Sequence, residues 1–261
     1  MIDRETVKRI EAALLNASIE SASFEARQMA KEIELGNLTE AEMLKRRLSG
    51  EPLQYILGQW EFFGLPFLVG PGVLIPRADT EIAVEQALGL LKNKPNARVL
   101  DICAGSGCIG IAIAKNTDAI VSFLEKSEDA IEYLKKNLEL NGVNAKIYNA
   151  DALKEPLMDD RLDLIISNPP YIKTADLSSL QKEVQFEPSM ALDGGEDGLI
   201  FYRKIAKNYK PLIASGGSLV FEIGFDEADD VSKIFEKEGY KDIKTVCDYG
   251  KNQRVVIGTV E

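Results

Sequence analysis

Apolar side chains recur at helical spacing through the first 50 residues of the chain. Val7, Ile10 and Leu14 share one face of a predicted helix. A second apolar pattern ends at Gly36–Asn37, and Thr39–Glu42 forms a capping box that opens a third helix. We expect these helices to pack together, because isolated helices of this length are marginal in water.

An aromatic stretch follows the helices. Residues 59–76 combine aromatic and β-branched side chains with breaks at Gly64 and Pro66, which predicts a β-hairpin. We place a domain junction in this region. The predicted organisation is a helical domain over 1–57, a hairpin linker over 58–76 and a second domain over 77–261.

From Asp79 onward, short apolar segments alternate with helical patterns. Strands are predicted over residues 98–102, 120–124, 146–148, 162–166, 218–223, 243–247 and 255–259. Helices are predicted between the other strands, but none is predicted between residues 148 and 162 or before the last strand. We expect the last two strands to pair in antiparallel orientation. Short apolar strands separated by helices predict an α/β fold with a mostly parallel sheet covered on both faces.

The charge of the chain bears on its partners. The formal net charge is −11, and the densest basic cluster, Lys45–Arg47, has only three residues, which disfavours a nucleic acid partner. No apolar run approaches the roughly 18 residues of a membrane span, and the charged N-terminus lacks a signal-peptide core. We therefore expect a cytoplasmic monomer without membrane contact.

Histidine is absent from all 261 residues. This excludes nucleophilic Ser-His and Cys-His sites, histidine general bases and histidine metal ligands. The cysteines, Cys103, Cys108 and Cys247, show no paired CxxC spacing, so neither a disulfide framework nor a zinc site is predicted. No metal is expected.

A glycine-rich turn follows the first strand of the α/β region. Gly105–Gly110 matches GxGxxG, and Glu125 ends the next strand at the spacing of a ribose-binding carboxylate. Taken alone, the turn fits NAD and S-adenosylmethionine equally well, because both carry an adenosine. Asp101 just before the turn, and the loop after the fourth strand, favour S-adenosylmethionine.

The fourth strand runs into the loop Asn168-Pro169-Pro170-Tyr171. The loops after the first and fourth strands are neighbours at the switch point of such a sheet. The Asn168 side-chain oxygen and the Pro169 carbonyl can accept hydrogen bonds from a planar nitrogen, the prolines fix the backbone, and Tyr171 offers a flat face. The loop predicts methyl transfer to an amide or ring-amino nitrogen without a strong base.

Seven segments, in this order, resemble one family. They are residues 58–64, 74–81, 101–107, 168–172, 192–199, 221–224 and 248–256. Together they are similar to the peptide chain release factor N5-glutamine methyltransferases (PrmC/HemK type), which are class I S-adenosylmethionine-dependent methyltransferases. The resemblance covers nearly the whole chain.

The resemblance implies a Rossmann-like domain with a seven-stranded, mostly parallel sheet, joined by a β-hairpin to a small helical domain that recognises substrate. It implies methylation of the glutamine in the Gly-Gly-Gln loop of class 1 release factors. The implied catalytic residues are Asn168, Pro169, Pro170 and Tyr171. The implied cofactor-binding residues are Asp101, Cys103, Ala104, Gly105, Ser106, Gly107, Glu125, Asp151, Ala152 and Asn168.

Two residues depart from the family pattern. Cys103 stands where the family often has glycine, and we interpret it as a packing substitute, not as a reactive thiol. Glu125 stands where the family often has aspartate, and glutamate can serve the ribose equally well.

Other segments have plain structural interpretations. Thr80-Glu81 can either start a helix or contact the cofactor. Asp193–Gly195 can be a turn that supports the active-site loop, and Phe62 with Phe63 fits a core better than a binding surface. Three rival functions share some of these features. The net charge of −11 and the small helical module disfavour a DNA adenine or RNA amino-methyltransferase. The loop Asn168–Tyr171 disfavours both a nicotinamide oxidoreductase and a non-catalytic S-adenosylmethionine-binding protein.

Overall fold

Four helices open the chain in a computed structural model that describes residues 3–159 and 161–261. They are α1 (Arg4–Asn16), α2 (Ala22–Glu34), α3 (Glu40–Leu48) and α4 (Leu53–Leu57). The predicted capping box opens α3: the Thr39 amide donates to the Glu42 carboxylate at 3.0 Å, and the Glu42 amide donates to Thr39 Oγ1 at 3.3 Å. The sequence analysis missed α4, because five residues are too few to show a helical period.

These helices share a hydrophobic cluster of their own. Its buried members are Ile10, Leu14, Ala22, Ala26, Met29, Ala30, Met43, Leu53 and Ile56. A buried ion pair fixes α2 against α3, with Arg47 Nε 2.6 Å from Glu25 Oε2. The expected packing of the helices on one another is therefore present.

The predicted hairpin consists of β1 (Gln59–Phe62) and β2 (Leu65–Leu68), which pair in antiparallel orientation. Pro66 lies inside β2 opposite Glu61, although we predicted a break there. A two-stranded ribbon tolerates this, because each strand is an edge strand. Phe62 is 1% exposed and Phe63 packs against the same cluster, so the aromatic residues belong to the core, as predicted.

The rest of the chain forms a seven-stranded sheet. Its strands are β3 (Arg98–Ile102), β4 (Ile120–Glu125), β5 (Lys146–Asn149), β6 (Leu162–Ser167), β7 (Ile213–Glu222), β8 (Lys241–Cys247) and β9 (Gln253–Thr259). The strand order is β5-β4-β3-β6-β7-β9-β8. Strands β3 to β7 are parallel, and β9 pairs antiparallel with both β7 and β8. The predicted mostly parallel sheet with a closing antiparallel pair is confirmed.

Strand β7 begins five residues earlier than predicted, at Ile213 and not at Ser218. Gly216 and Gly217 read as a break in the sequence, but they lie within the strand. A register irregularity between Leu162 and Leu164 of β6 accommodates them, so that the pairing resumes at Ser218.

Helices cover both faces of the sheet. They are α5 (Glu81–Leu91), α6 (Cys108–Asn116), α7 (Glu128–Leu140), α8 (Ile200–Asn208) and α9 (Ala228–Lys237). Val99 of β3 packs into a cluster with α5, α6 and α7, whereas the next residue, Leu100, packs into a cluster with α8 and α9. Within residues 3–159 and 161–261, no helix is long and apolar enough to cross a membrane.

Candidate active site

A cavity of about 340 Å³ lies at the carboxyl ends of β3, β4 and β6. It is lined by the glycine turn, the ends of the strands, residues 72 and 74–77 of the segment after the hairpin, and residues 188–191. Its volume falls within the range of about 300–1,000 Å³ that is typical of small-molecule sites. The position agrees with the predicted switch-point site.

The glycine turn has a backbone that favours glycine. Gly105 and Gly107 have φ values of 55° and 80°. A Cβ atom at Gly107 would lie 2.3 Å from Leu134 Cδ1, so this position has no room for a side chain. The turn therefore depends on glycine both for its conformation and for its packing.

Cys103 has a φ value of 59°, which is unusual for a residue with a side chain. All three cysteines are free. Burial raises the pKa of Cys103 well above its usual value, so the side chain is a neutral thiol. This agrees with a packing residue and not with a reactive one.

The Glu125 carboxylate holds the glycine turn. The Gly105 amide donates to Oε2 at 2.8 Å, and the amides of Lys126 and Ser127 donate to Oε1 at 2.8 Å. Glu125 lines the cavity as predicted. It connects the ends of β3 and β4 and also presents negative charge to a ligand.

Asp151 and Ala152 lie on the β5 side of the cavity. The Leu153 amide donates to Asp151 Oδ1 at 3.0 Å, and Lys126 Nζ lies 3.0 Å from Asp151 Oδ2. Burial opposes ionisation, but these two partners lower the pKa of Asp151 below its usual value. The cavity therefore carries an ionised carboxylate at this end.

Asp101 is 1% exposed and lies beneath the glycine turn. Its Oδ2 accepts a hydrogen bond from the Gly110 amide at 2.9 Å, and its Oδ1 has no partner among the described residues. Burial raises the pKa of Asp101 to about 8. The hydrogen bond from Gly110 connects Asp101 to the first turn of α6.

Asn168 reaches the cavity from the end of β6, together with Pro170. The Asn168 Nδ2 donates to Thr80 Oγ1 at 3.4 Å. This contact leaves the Asn168 side-chain oxygen available as an acceptor. We expected Thr80 either to start a helix or to contact the cofactor. Thr80 does precede α5, but its side chain makes no capping hydrogen bond, and it lines the cavity.

A glycine turn far along the chain supports the Asn168–Tyr171 loop. Ile172 and Asp193 form an isolated parallel bridge, and the Gly194 amide donates to the Ile172 carbonyl at 2.8 Å. A Cβ atom at Gly194 would lie 2.7 Å from the Tyr171 Cα. The predicted supporting role of Asp193–Gly195 is confirmed.

Residues 183–191, the last four of which line the cavity, contact distant parts of the chain. Glu187 accepts a hydrogen bond from the Ile75 amide at 3.0 Å and pairs with Arg77. Glu183 Oε1 lies 2.8 Å from Arg47 Nη2, which links the segment to α3. The sequence analysis missed these contacts, because the partners are more than 100 residues apart.

The cavity brings together most of the predicted site residues, all of which lie in the described part of the chain. Those that line it are Cys103, Ala104, Gly105, Ser106, Glu125, Asp151, Ala152, Asn168 and Pro170. Four predicted residues are adjacent to the cavity but do not line it: Asp101, Gly107, Pro169 and Tyr171. Lining residues that the prediction lacked include Arg77, Asp129, Met190 and Phe201; only Arg77 lay in a segment already singled out.

Comparisons with known proteins agree with this geometry. A family model described as "Methyltransferase small domain" matches residues 76–206. A solved 16S rRNA N2 G1207 methyltransferase of T. thermophilus, in complex with AdoMet and guanosine, has a TM-score of 0.53 and 20% identity; the match covers 78% of this chain and 50% of that one. This likeness shows the fold.

Proteins of similar sequence show the family as well as the fold. A release factor glutamine methyltransferase of Geobacter sulfurreducens is 48% identical over 221 residues, which cover 84% of this chain and 76% of the relative. Another from Thermodesulfovibrio yellowstonii is 43% identical over 220 residues, covering 82% of this chain and 78% of the relative. The chain belongs to the release factor glutamine methyltransferase family.

Proposed function

We propose that this protein transfers a methyl group from S-adenosylmethionine to the side-chain N5 of the glutamine in the Gly-Gly-Gln loop of class 1 release factors. The observation that carries the proposal is the position of Asn168, which borders the same cavity as Glu125 and Asp151. An amide-binding side chain thus faces the region suited to the methyl donor. Family membership supports the glutamine as the acceptor.

The cavity fits S-adenosylmethionine. The Glu125 and Asp151 carboxylates suit ribose hydroxyls and cationic groups, and the backbone of Gly105 leaves open space in which a ligand can approach closely. Leu124, Ala152 and other apolar residues suit the adenine ring. We assign cofactor contacts to the predicted residues that line the cavity, and a supporting role to Asp101 and Gly107.

When bound, S-adenosylmethionine supplies an electrophilic methyl group on a sulfonium. Asn168 Oδ1 and the Pro169 carbonyl accept hydrogen bonds from the two N–H groups of the glutamine amide and orient its nitrogen toward the donor. These acceptors stabilise the positive charge that develops on the nitrogen. Fixing both reactants in line can contribute roughly 7–11 kcal/mol.

The prolines and Tyr171 act mainly on the shape of the loop. Pro169 is buried, and Pro170 borders the cavity without an amide hydrogen that would compete for acceptors. Tyr171 is partly buried, and burial raises its pKa to about 12, so its hydroxyl stays neutral. The methylated amide is cationic and loses its proton to solvent.

We propose that residues 1–57 recognise the release factor, that 58–76 are the linker and that 77–261 form the methyltransferase domain. The separate hydrophobic cluster of α1 to α4 supports this division. The predicted cytoplasmic location, monomeric state and lack of nucleic acid contact stay predictions.

Mass spectrometry of a release factor after incubation with the enzyme and S-adenosylmethionine tests the proposed function. The expected result is one added methyl group on the Gly-Gly-Gln glutamine. A release factor with that glutamine replaced by alanine is the matched control and should gain no mass. Methyl transfer to DNA or RNA with an unmodified release factor would overturn the proposal in favour of an amino-methyltransferase of nucleic acids.

A further inference from the structure

Two buried polar residues lie next to Asn168: Thr80, which borders the same cavity, and Glu222, which neighbours Thr80. Thr80 is 2% exposed and Glu222, at the end of β7, is also 2% exposed. Thr80 accepts a hydrogen bond from Asn168 Nδ2 at 3.4 Å, and the Thr80 hydroxyl lowers the pKa of the neighbouring Glu222 carboxyl group against the effect of burial. These contacts form a chain from Asn168 through Thr80 to Glu222.

The direction of the hydrogen bonds in this series follows from which groups can donate a hydrogen. An ionised carboxylate only accepts hydrogen bonds, and a hydroxyl group has a single hydrogen to donate. If Thr80 donates that hydrogen to Glu222, its oxygen can only accept from Asn168. The NH₂ group of Asn168 must then point toward Thr80, and its oxygen must point toward the cavity.

We propose that Thr80 and Glu222 are positioning residues that fix the side-chain amide of Asn168 with its oxygen toward the substrate. This inference rests on the proposed function, since only a substrate with N–H groups needs that orientation. An asparagine amide is nearly symmetric in shape, so packing alone distinguishes its two orientations poorly. A flipped Asn168 would present its NH₂ group to the substrate amide and repel it.

Charged and titratable groups surround Glu222 on several sides. Those that act on it or respond to it are Arg77, Asp79, Cys108, Tyr171, Tyr202 and Arg254. Burial raises the pKa of Glu222 to about 7, although Thr80, Arg254 and Arg77 oppose this. Its Oε2 has no hydrogen-bond partner among the described residues, so burial is incompletely compensated.

Protonation of Glu222 would reverse the direction of the hydrogen bonds from Asn168 through Thr80 to Glu222. A neutral carboxyl group can donate to Thr80, whose hydrogen then goes to Asn168 and turns the amide over. The orientation needed for transfer is thus the one that an ionised Glu222 imposes. We expect kcat to fall as the pH drops through about 7.

Valine and serine at position 80 separate the hydroxyl from the shape of the side chain. Thr80→Val keeps the shape and removes the hydroxyl, and should lower kcat for the release factor about 10-fold, the order expected for one neutral hydrogen bond. KM for the release factor and the Kd of S-adenosylmethionine should change much less than kcat, because valine keeps the shape with which residue 80 borders the cavity. Thr80→Ser keeps the hydroxyl, and its kcat should exceed that of Thr80→Val about 5-fold. Thr259→Val, on β9, is the matched control.

The pH dependence of kcat and the NMR signals of the Asn168 side-chain amide are two further measurements that a loss of packing alone would not change. Wild-type kcat should fall between pH 8 and pH 6, whereas Thr80→Val should give a flat profile. In ¹⁵N NMR spectra, the side-chain amide signals of Asn168 should shift in Thr80→Val and much less in Thr80→Ser.

Two results would overturn the inference: a kcat of Thr80→Val within 2-fold of wild type, or an equal loss of kcat in the serine variant. Failure of the proposed function would look different, because the wild-type enzyme itself would then leave the glutamine unmodified.

Discussion

The two loops that border the cavity acquire their shapes in different ways. The turn Cys103–Gly107 is shaped by its own glycines and by Glu125, which is 20 residues away from Gly105. The loop Asn168–Tyr171 depends on Thr80, 88 residues away from Asn168, and on the backbone of Gly194. The glycine turn is thus supported by a residue 20 positions away, whereas the substrate loop also depends on a residue 88 positions away. Substitutions at a distance should therefore affect methyl transfer more than cofactor binding.

Replacement of Asn168 by alanine is the strongest test of this division. Loss of one preorganised group at the reacting centre typically costs about 100- to 1,000-fold in rate, and we expect that loss in kcat. Calorimetry should give a Kd for S-adenosylmethionine that changes far less than kcat, because the glycine turn and the Glu125 and Asp151 carboxylates remain in place. Asn144→Ala, in an exposed loop, is the control. Near-normal turnover of Asn168→Ala would contradict the assigned role.

Gly194→Ala tests the support that the Asp193–Gly195 turn gives to the substrate loop. The new Cβ would lie 2.7 Å from the Tyr171 Cα and 2.8 Å from its carbonyl carbon, so the backbone must shift. We expect a destabilisation of about 1–3 kcal/mol and a kcat about 10- to 100-fold lower, since misplacement by about 1 Å has such effects. Gly89→Ala, with nothing within 4 Å of its Cβ, is the matched control. Equal kcat values for the two variants would show that the loop keeps its shape without Gly194.

Asp101→Asn tests the buried carboxyl group beneath the glycine turn. In the folded protein the pKa of Asp101 is about 8, above its usual 3.8, so the fold favours the protonated form. Its contribution to stability is complete below pH 4 and is lost as the pH rises through 8. Between pH 5 and pH 8 the wild type should lose roughly 2–4 kcal/mol more than the variant. Urea unfolding at both pH values measures this; equal losses would show that Asp101 ionises normally.

Cys103→Gly should have the smallest effect. A side chain in the left-handed region costs about 1–2 kcal/mol, and the flexibility of glycine in the unfolded chain costs about 0.5–1 kcal/mol. With the cysteine at φ 59°, the net change should be below about 1 kcal/mol, and the cofactor Kd should change less than about 3-fold. Ala104→Gly, which relieves no positive φ, should destabilise the protein. A larger loss in Cys103→Gly would show that packing of the thiol outweighs the strain.

The difference between the loops also explains what the sequence could predict. Glycine spacing and the position of Glu125 are local signals, and they located the cofactor side of the cavity. Apolar periodicity likewise predicted the strands of the sheet within a few residues, apart from the start of β7 at Ile213. The Thr80–Asn168 contact and the Glu183–Arg47 pair form only when the chain folds back on itself, and no local pattern indicates them.

The three hydrogen bonds to Glu125 have a thermodynamic consequence. A carboxylate offers about four lone-pair positions, and backbone amides already use three of them. Two hydroxyl groups of a ribose would therefore have to displace at least one amide of the turn. Binding at this point exchanges hydrogen bonds and adds few new ones, so its enthalpy should be small. The affinity would then come mainly from the apolar walls of the cavity, and its signature would be a negative change in heat capacity.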